Sequence, residues 1–384
     1  MTTVFSGSNS SELYLQALHA LLKDGKRANP RGKQTAELRP VVIEYLDPTD
    51  RVTTLKGRII NPFFQLAEAL WILGGRADVA WLSFYNSNMA NFSDDGIHFN
   101  APYGERIRFW GKNRARGIVS TPSTDQLKSA YLRLKEDPDT RQAVITIANP
   151  TFDSYQYTNL DKGKDIACNL NIKCKIRDGK LDISVDNRSN DLHWGTFGAN
   201  LCQFATIQEV LASWLGVGIG TYYQISDSLH IYLDDYGAKE TDKILKHHTT
   251  DTAQNFRFDD EPRMSLDFLG YDKLMWEYWT TLDELMHSDD TYTDRGVVSL
   301  LESIEVLPDE YWKMTFQAMV AYNAHKRGLG TGVYHALSDM KDCQWKVSCL
   351  RFLYPKYTND KAFQSLYISD YNNEVIAYIE RKNG

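Results

Sequence analysis

The chain has 384 residues, of which 42% are hydrophobic, 24% charged and 12% aromatic. Such a length and composition exclude a mainly disordered protein and allow a sizeable core without disulfides or metals. Lys and Arg number 43 against 50 Asp and Glu, a formal net charge of −7. That sign disfavours a protein dedicated to duplex DNA or to anionic membranes, while leaving room for a local basic pocket.

The first residues, MTTVFSGSNSSELYLQ, lack the basic stretch and apolar run of a secretory signal, and no run approaches the ~18 apolar residues of a membrane span. The five cysteines (Cys168, Cys174, Cys202, Cys343 and Cys349) are odd in number and form no C-x-x-C pair. No metal site or disulfide framework is expected, and a reducing cytoplasm is the natural setting.

In chain order, Ser10 to Asp24 predicts a helix. Ser10 or Ser11 caps it, Leu13, Ala17, Leu18, Leu21 and Leu22 form one apolar face, and Gly25 ends it. A basic loop follows, then a strand over Val41 to Tyr45. Asn61-Pro62 opens a helix over Phe63 to Leu73 that is apolar all round, as a core helix is. Glu68 sits in its middle, and a carboxylate there needs a partner or a task. Ala143 to Ile147 predicts a strand. Ile166 to Ile176 and Lys180 to Val185 predict a hairpin, because Asp178-Gly179 is a strong turn signal. A long apolar helix is predicted over Ala199 to Leu215 and a strand over Thr221 to Tyr232. Asp259-Asp260-Glu261-Pro262 marks a boundary, after which helical periods cover Asp309 to Lys326 and Ser338 to Leu353. The expected class is α+β: a mostly antiparallel sheet with large core helices over residues 1–255, then a helical C-terminal extension over residues 256–384.

Four clusters carry chemistry. Asp165-Ile-Ala-Cys168-Asn169 lies on or at the edge of a predicted strand. Arg188-Ser189-Asn190-Asp191 follows 20 positions later, with Gly195 and Asn200 beyond it. Ser228-Leu229-His230-Ile231-Tyr232 is the third cluster and Glu68 the fourth. An arginine beside a cysteine stabilises a nucleophilic thiolate. Arg-Ser offers a phosphate a charged fork and a hydroxyl. Each cluster alone has an ordinary structural reading; their order and spacing together suggest one pocket that holds a monophosphate and attacks its base.

These residues give the chain its resemblance to the thymidylate synthase superfamily. The matching segments run from about Arg31 to Tyr232 and include Glu68-Ala-Leu-Trp71, Pro102-Tyr103-Gly104, Asp137-Pro138-Asp139-Thr140-Arg141, Cys168, Arg188-Ser189-Asn190-Asp191, Gly195, Asn200 and His230-x-Tyr232. Within the superfamily it resembles the phage deoxypyrimidine-nucleotide hydroxymethylases more than ordinary synthases. Ala167-Cys168-Asn169 stands for the synthase Pro-Cys-His, and Ser228 for an Asp. Met89 and Phe92 fall about where synthases carry paired tryptophans, and Lys382-Asn383-Gly384 lacks their small apolar tail.

The resemblance implies a mechanism. Cys168 attacks C6 of the pyrimidine, and C5 takes a one-carbon unit from 5,10-methylenetetrahydrofolate. Glu68 organises water and proton transfer at the base, and Tyr103 assists at C5. Arg31, Arg141, Arg188 and Ser189 grip the 5′-phosphate, in a homodimer where Arg141 reaches across from the partner. His230 and Tyr232 hold the deoxyribose 3′-hydroxyl, and Asp191 and Gly195 lie on the folate side. Asn200 reads the base: a carboxamide donates to O4 and accepts from N3–H, the uracil pattern, whereas cytosine-specific relatives carry Asp. Between Gly195 and Asn200 this chain has one residue more than synthases do. Loss of the aromatic wall and closing tail, which exclude water, points to hydroxymethylation of dUMP. Open alternatives are dCMP hydroxymethylation, thymidylate synthesis, and a non-catalytic nucleotide- or RNA-binding relative.

Overall fold

The computed structural model describes residues 2–119, 122–154, 163–250, 258–287, 293–305 and 307–369. The chain position expected to divide the two parts, and Lys382-Asn383-Gly384, lie outside them. The fold is α+β. The strands are β1 (Thr3–Gly7), β2 (Lys26–Ala28), β3 (Thr35–Leu38), β4 (Val41–Tyr45), β5 (Val144–Thr146), β6 (Asn169–Arg177), β7 (Lys180–Asn187), β8 (Asn190–Asp191), β9 (Gly218–Ser226) and β10 (Leu229–Tyr232). They form a six-stranded sheet in the order β1-β4-β9-β7-β6-β5 and a four-stranded sheet in the order β2-β3-β10-β8. Five of the eight pairings among the described residues are antiparallel; β1–β4, β7–β9 and β8–β10 are parallel.

The hairpin β6–β7 turns at Asp178 and Gly179, both left-handed (φ 50° and 71°). Positive φ at both central residues matches the strand twist and is tolerated by Asp and Gly. Pairing runs from Arg177↔Lys180 to Asn171↔Asp186, then slips by one residue at a bulge so that Asn169 faces Asn187. The slip carries on past the strand ends, where the Arg188 N–H donates to the Cys168 carbonyl at 3.0 Å. The 20-residue spacing of cysteine and arginine is thus hairpin geometry.

The helix Leu201–Leu215 lies against β7 and β9 and is buried nearly all round. Some of its polar members are held from within: Gln208 Nε2 donates to the Leu181 and Gly220 carbonyls at 2.7 and 3.2 Å. Glu209 pairs with buried Arg51, whose guanidinium also donates to Thr206 Oγ1 at 3.0 Å. The opposite face of the sheet shows half-buried Val42, Tyr223 and Ile225.

The first helix is capped by Asn9 and not by Ser10 or Ser11, and the expected basic loop contains the short strand β2; the structure departs from the expected elements in four further places. The strand foreseen from Ile166 begins at Asn169, because the Ile166 and Ala167 carbonyls accept from Arg188 instead of a ladder partner. The helix foreseen from Ala199 is preceded by a π-helical run, Leu192–Asn200. The strand foreseen over Thr221 to Tyr232 breaks at Asp227-Ser228 into β9 and β10, which enter different sheets. The helix foreseen over Ser338 to Leu353 divides into Gly330–Ser338 and Gln344–Leu353, the second started by Glu261, which accepts from the Gln344 N–H at 3.0 Å.

Contacts divide the chain into two compact units. The first is Met1–Thr53 with Ala67–Asn255, and the second is Thr54–Leu66 with Phe256–Gly384. The second unit is helical. Its central helix, Glu310–Lys326, is buried on every side and capped by Asp309, which accepts from the Trp312 N–H at 3.1 Å and the Ser265 N–H at 2.6 Å. Residues 54–66 belong here because Phe63 packs on Tyr322 and Phe352, with ring centroids 4.9 and 5.9 Å apart. Among the described residues no helix is long and apolar enough to cross a membrane.

Candidate active site

Cys168 lies immediately before β6 and Arg188 immediately after β7. Arg188 Nε donates to the Ala167 carbonyl at 2.8 Å and Nη2 to the Ile166 carbonyl at 3.0 Å, which holds Nη2 3.6 Å from the Cys168 Sγ. Burial pushes the Cys168 thiol up, against the pull of Arg188 and the weaker pull of Arg31. The guanidinium does not outweigh burial, so the resting group is a thiol.

Tyr103 reaches the same segment from the first turn of the helix Tyr103–Arg108. Its hydroxyl oxygen accepts from the Cys168 and Asn169 N–H groups at 3.3 and 3.4 Å, so the hydroxyl proton points elsewhere. Burial pushes its pKa far up. Asp165 ties the two segments together: its carboxylate accepts from the Ala101 N–H at 2.7 Å, and burial raises it to about 6. Gly104 lets this helix approach, since a Cβ there would stand 2.7 Å from the Trp71 carbonyl.

Glu68 is half-buried, with one carboxylate oxygen sealed from solvent and without a hydrogen-bond partner. Desolvation raises it to about 7, against a hydrogen bond from Gln203. Gln203 stands one helical turn beyond Asn200, which places the carboxyl beside the helix Leu201–Leu215.

On the four-stranded sheet, His230 pairs with Asp191 across β8–β10 and with Glu37 across β3–β10. The His230 and Tyr232 rings meet edge to face at 5.3 Å. Arg31, itself in a left-handed backbone conformation (φ 54°), hydrogen-bonds Tyr232, and its charge is felt by both Tyr232 and Cys168. A strained backbone at a charged residue fits a ligand clamp. The Asp191 carboxylate caps the π-helical run, accepting from the His193 and Trp194 N–H groups at 3.2 and 3.1 Å. The run is π-helical over Leu192–Asn200, and a π-helical turn holds one residue more than the α-helical turn it replaces. Ser189 is half-buried beside Arg188. Arg141 is exposed, just before β5, and pairs with no carboxylate among the described residues.

Hydrogen bonds, ring contacts and electrostatics thus join Cys168, Tyr103, Arg188, Arg31, Tyr232, His230 and Asp191, and link Glu68 to the helix that follows Asn200. Asn200 connects to Cys168's neighbour: its Oδ1 accepts from Asn169 Nδ2 at 3.2 Å. Sequence reasoning gave no role to Asp165, Gln203, Asn187 or Asn190, because their partners (the Ala101 N–H, Glu68, Asn169 and Asn200) are set by the folded chain and not by local sequence. Among the described residues no group of His, Cys, Asp and Glu could hold a metal.

A family model described as thymidylate synthase matches residues 12–279. The chain is 49% identical to a deoxyuridylate hydroxymethyltransferase of Bacillus phage SP01, across 98% of this chain and 99% of that protein. It is 37% identical to a deoxyuridylate hydroxymethyltransferase of Pseudomonas phage M6 over 60% of this chain and 61% of that one. It is 26% identical to the thymidylate synthase of Corynebacterium aurimucosum over 54% of this chain and 74% of that one. The chain belongs to the thymidylate synthase family.

Proposed function

We propose that this chain is a deoxyuridylate 5-hydroxymethyltransferase, joining dUMP, 5,10-methylenetetrahydrofolate and water to give 5-hydroxymethyl-dUMP and tetrahydrofolate. The observation that carries the reading is a cysteine sulfur 3.6 Å from an arginine in a chain 49% identical, end to end, to a phage protein of that name. No hydride moves, so the folate leaves unoxidised. The product is a precursor for modified phage DNA, made in the cytoplasm of the infected cell.

Cys168 adds to C6 once its proton leaves, and the Arg188 guanidinium stabilises the thiolate. Glu68, with a pKa of about 7, passes protons at the base in either direction near neutrality. The Tyr103 hydroxyl, its oxygen held by two backbone N–H groups, assists proton transfer at C5, where the ring proton leaves once the one-carbon unit is attached. Arg31, Arg188 and Ser189 take the 5′-phosphate, and His230 and Tyr232 the 3′-hydroxyl. Asp191 and Gly195 border the folate. Half-buried Met89 and exposed Phe92 stand where synthases keep an aromatic wall, and that opening admits the water that ends the reaction.

Mass spectrometry of the product from dUMP and methylenetetrahydrofolate tests this. The expected product is hydroxymethyl-dUMP with no dihydrofolate; a methylated product with dihydrofolate would make the chain a thymidylate synthase. Asn200→Asp is expected to shift the dUMP-to-dCMP ratio of kcat/KM toward dCMP by about tenfold or more. An unchanged ratio would mean that Asn200 does not read the base.

The active form is a homodimer in which Arg141 completes the partner's phosphate site. Two features support this: Arg141 is exposed and unpaired among the described residues, and the outer sheet face carries half-buried Val42, Tyr223 and Ile225. Mixing inactive Cys168→Ala and Arg141→Ala chains under subunit exchange should restore activity to about a quarter of wild type, because mixed dimers keep one intact site. No recovery would remove the cross-subunit role.

A further inference from the structure

We propose that Asn169 and Asn190 set the base preference of the site by fixing which way round the Asn200 carboxamide lies, without touching the base themselves. The inference rests on the reading of Asn200 as the base-recognition residue, and deepens it.

Four buried amides and a hydroxyl form one directed chain. Asn187 Nδ2 donates to Asn169 Oδ1. Asn169 Nδ2 donates to Asn200 Oδ1 at 3.2 Å, Asn200 Nδ2 to Asn190 Oδ1 at 3.1 Å, and Asn190 Nδ2 to Ser226 Oγ at 3.1 Å. All five residues are at most 6% exposed. Gly195 makes room for the chain, since a Cβ there would lie 2.6 Å from Asn190 Oδ1. Every link runs in the same sense, and Asn200 cannot turn over alone without placing N–H against N–H on one side and two carbonyl oxygens together on the other.

The valences that remain decide the base. An amide nitrogen has two N–H groups and an amide oxygen two lone pairs. The chain uses one of each on Asn200 and leaves one donor and one acceptor. The donor suits O4 and the acceptor suits N3–H, which is uracil. Turned over, the same amide would face N3 with a donor and the C4 amino group with an acceptor, which is cytosine. Asn169 selects between these by the end of its amide that it turns to Asn200: its nitrogen faces Asn200 and donates, while its oxygen accepts from Asn187 Nδ2.

A carboxylate at position 169 can only accept. Asn169→Asp therefore forces the chain to reverse: Asn200 Nδ2 turns to the carboxylate, Asn190 turns to donate, and the Ser226 hydroxyl, which serves either way, donates in place of accepting. Asn190→Asp adds the same charge at the other end yet keeps the original sense, since a carboxylate there still accepts from Asn200 and from Ser226. The two variants separate direction from charge.

The test is kcat/KM for dUMP and for dCMP, measured on the same preparation of full-length chain so that the ratio is independent of the active fraction. Asn169→Asp is expected to move the dUMP-to-dCMP ratio toward dCMP by about tenfold or more, and Asn190→Asp to leave it near wild type. Equal shifts in both, or no shift in Asn169→Asp, would overturn the proposal, since a purely structural role lowers both substrates together. If Asn169→Asp does not fold, Asn169→Ala removes the directing donor and is expected to bring the ratio toward parity. Full dUMP preference in that variant would overturn the proposal equally. Asn200→Asp keeps the two levels apart. A shift there with none at position 169 defeats the directed chain alone; silence at both defeats the base-reading assignment.

Discussion

Turnover of the Cys168→Ala chain is expected to fall by about ten-thousandfold or more, while dUMP still binds. A covalent route has no substitute once its nucleophile is gone, and losses of that order follow removal of attacking side chains elsewhere. Binding is spared because it is carried by other groups: Arg188 is positioned by the Ile166 and Ala167 carbonyls rather than by the sulfur, and Arg31 by its own loop and Tyr232. Steady-state rates and calorimetric titration with dUMP check the two halves. Turnover within tenfold of wild type would sink the covalent mechanism. Loss of dUMP binding together with turnover would show that the sulfur supports the pocket instead.

Glu68→Gln is the second large effect, with turnover lower by about a hundredfold to ten-thousandfold, the range of general acid–base catalysis. The wild-type pH profile should bend near the carboxyl's value of about 7, and the bend should vanish in the Gln chain. Stability gives an independent reading. The folded pKa lies above that of an exposed carboxyl, ~4.3. Between those two values the folded chain keeps a proton that the unfolded chain releases. Stability therefore falls as pH rises through that window and levels off above it. Gln mimics the neutral acid at every pH, so the Tm of Glu68→Gln minus that of wild type should grow between pH 5 and pH 8. A gap that stays constant would mean that the carboxyl is not raised.

Much of the site was legible because chemistry and local geometry coincide. Asp178-Gly179 announces its turn, and counting outward from it brings Cys168 opposite Ser189, one residue from the Arg188 that the bulge sets against it. Glu68 was conspicuous as the carboxylate in an apolar helix. The amide chain was not legible. Asparagines 169, 187, 190 and 200 come together only through a bulged register and a π-helical run, and no local pattern shows either. The break at Asp227-Ser228 was hidden for a similar reason: β9 and β10 both read as strand, and only tertiary pairing sends them to different sheets. Residues 54–66 carry apolar side chains that would suit either unit, and their place beside Tyr322 and Phe352 is decided by packing at long range. The thiol's resting protonation depends on burial, a property of the folded chain alone.

The hairpin that faces sulfur with guanidinium also constrains how the gene can drift in length. Cys168 and Arg188 stand at its open end, equidistant from the turn once the bulge is counted. Codons gained or lost in matching numbers on the two arms would only move the far tip, and the reactive pair would stay in step. One codon added to a single arm would rotate every later side chain to the other side of the sheet and part the pair. Viable relatives should therefore vary this arm pair symmetrically, with the tip at Asp178-Gly179 as the natural place for change.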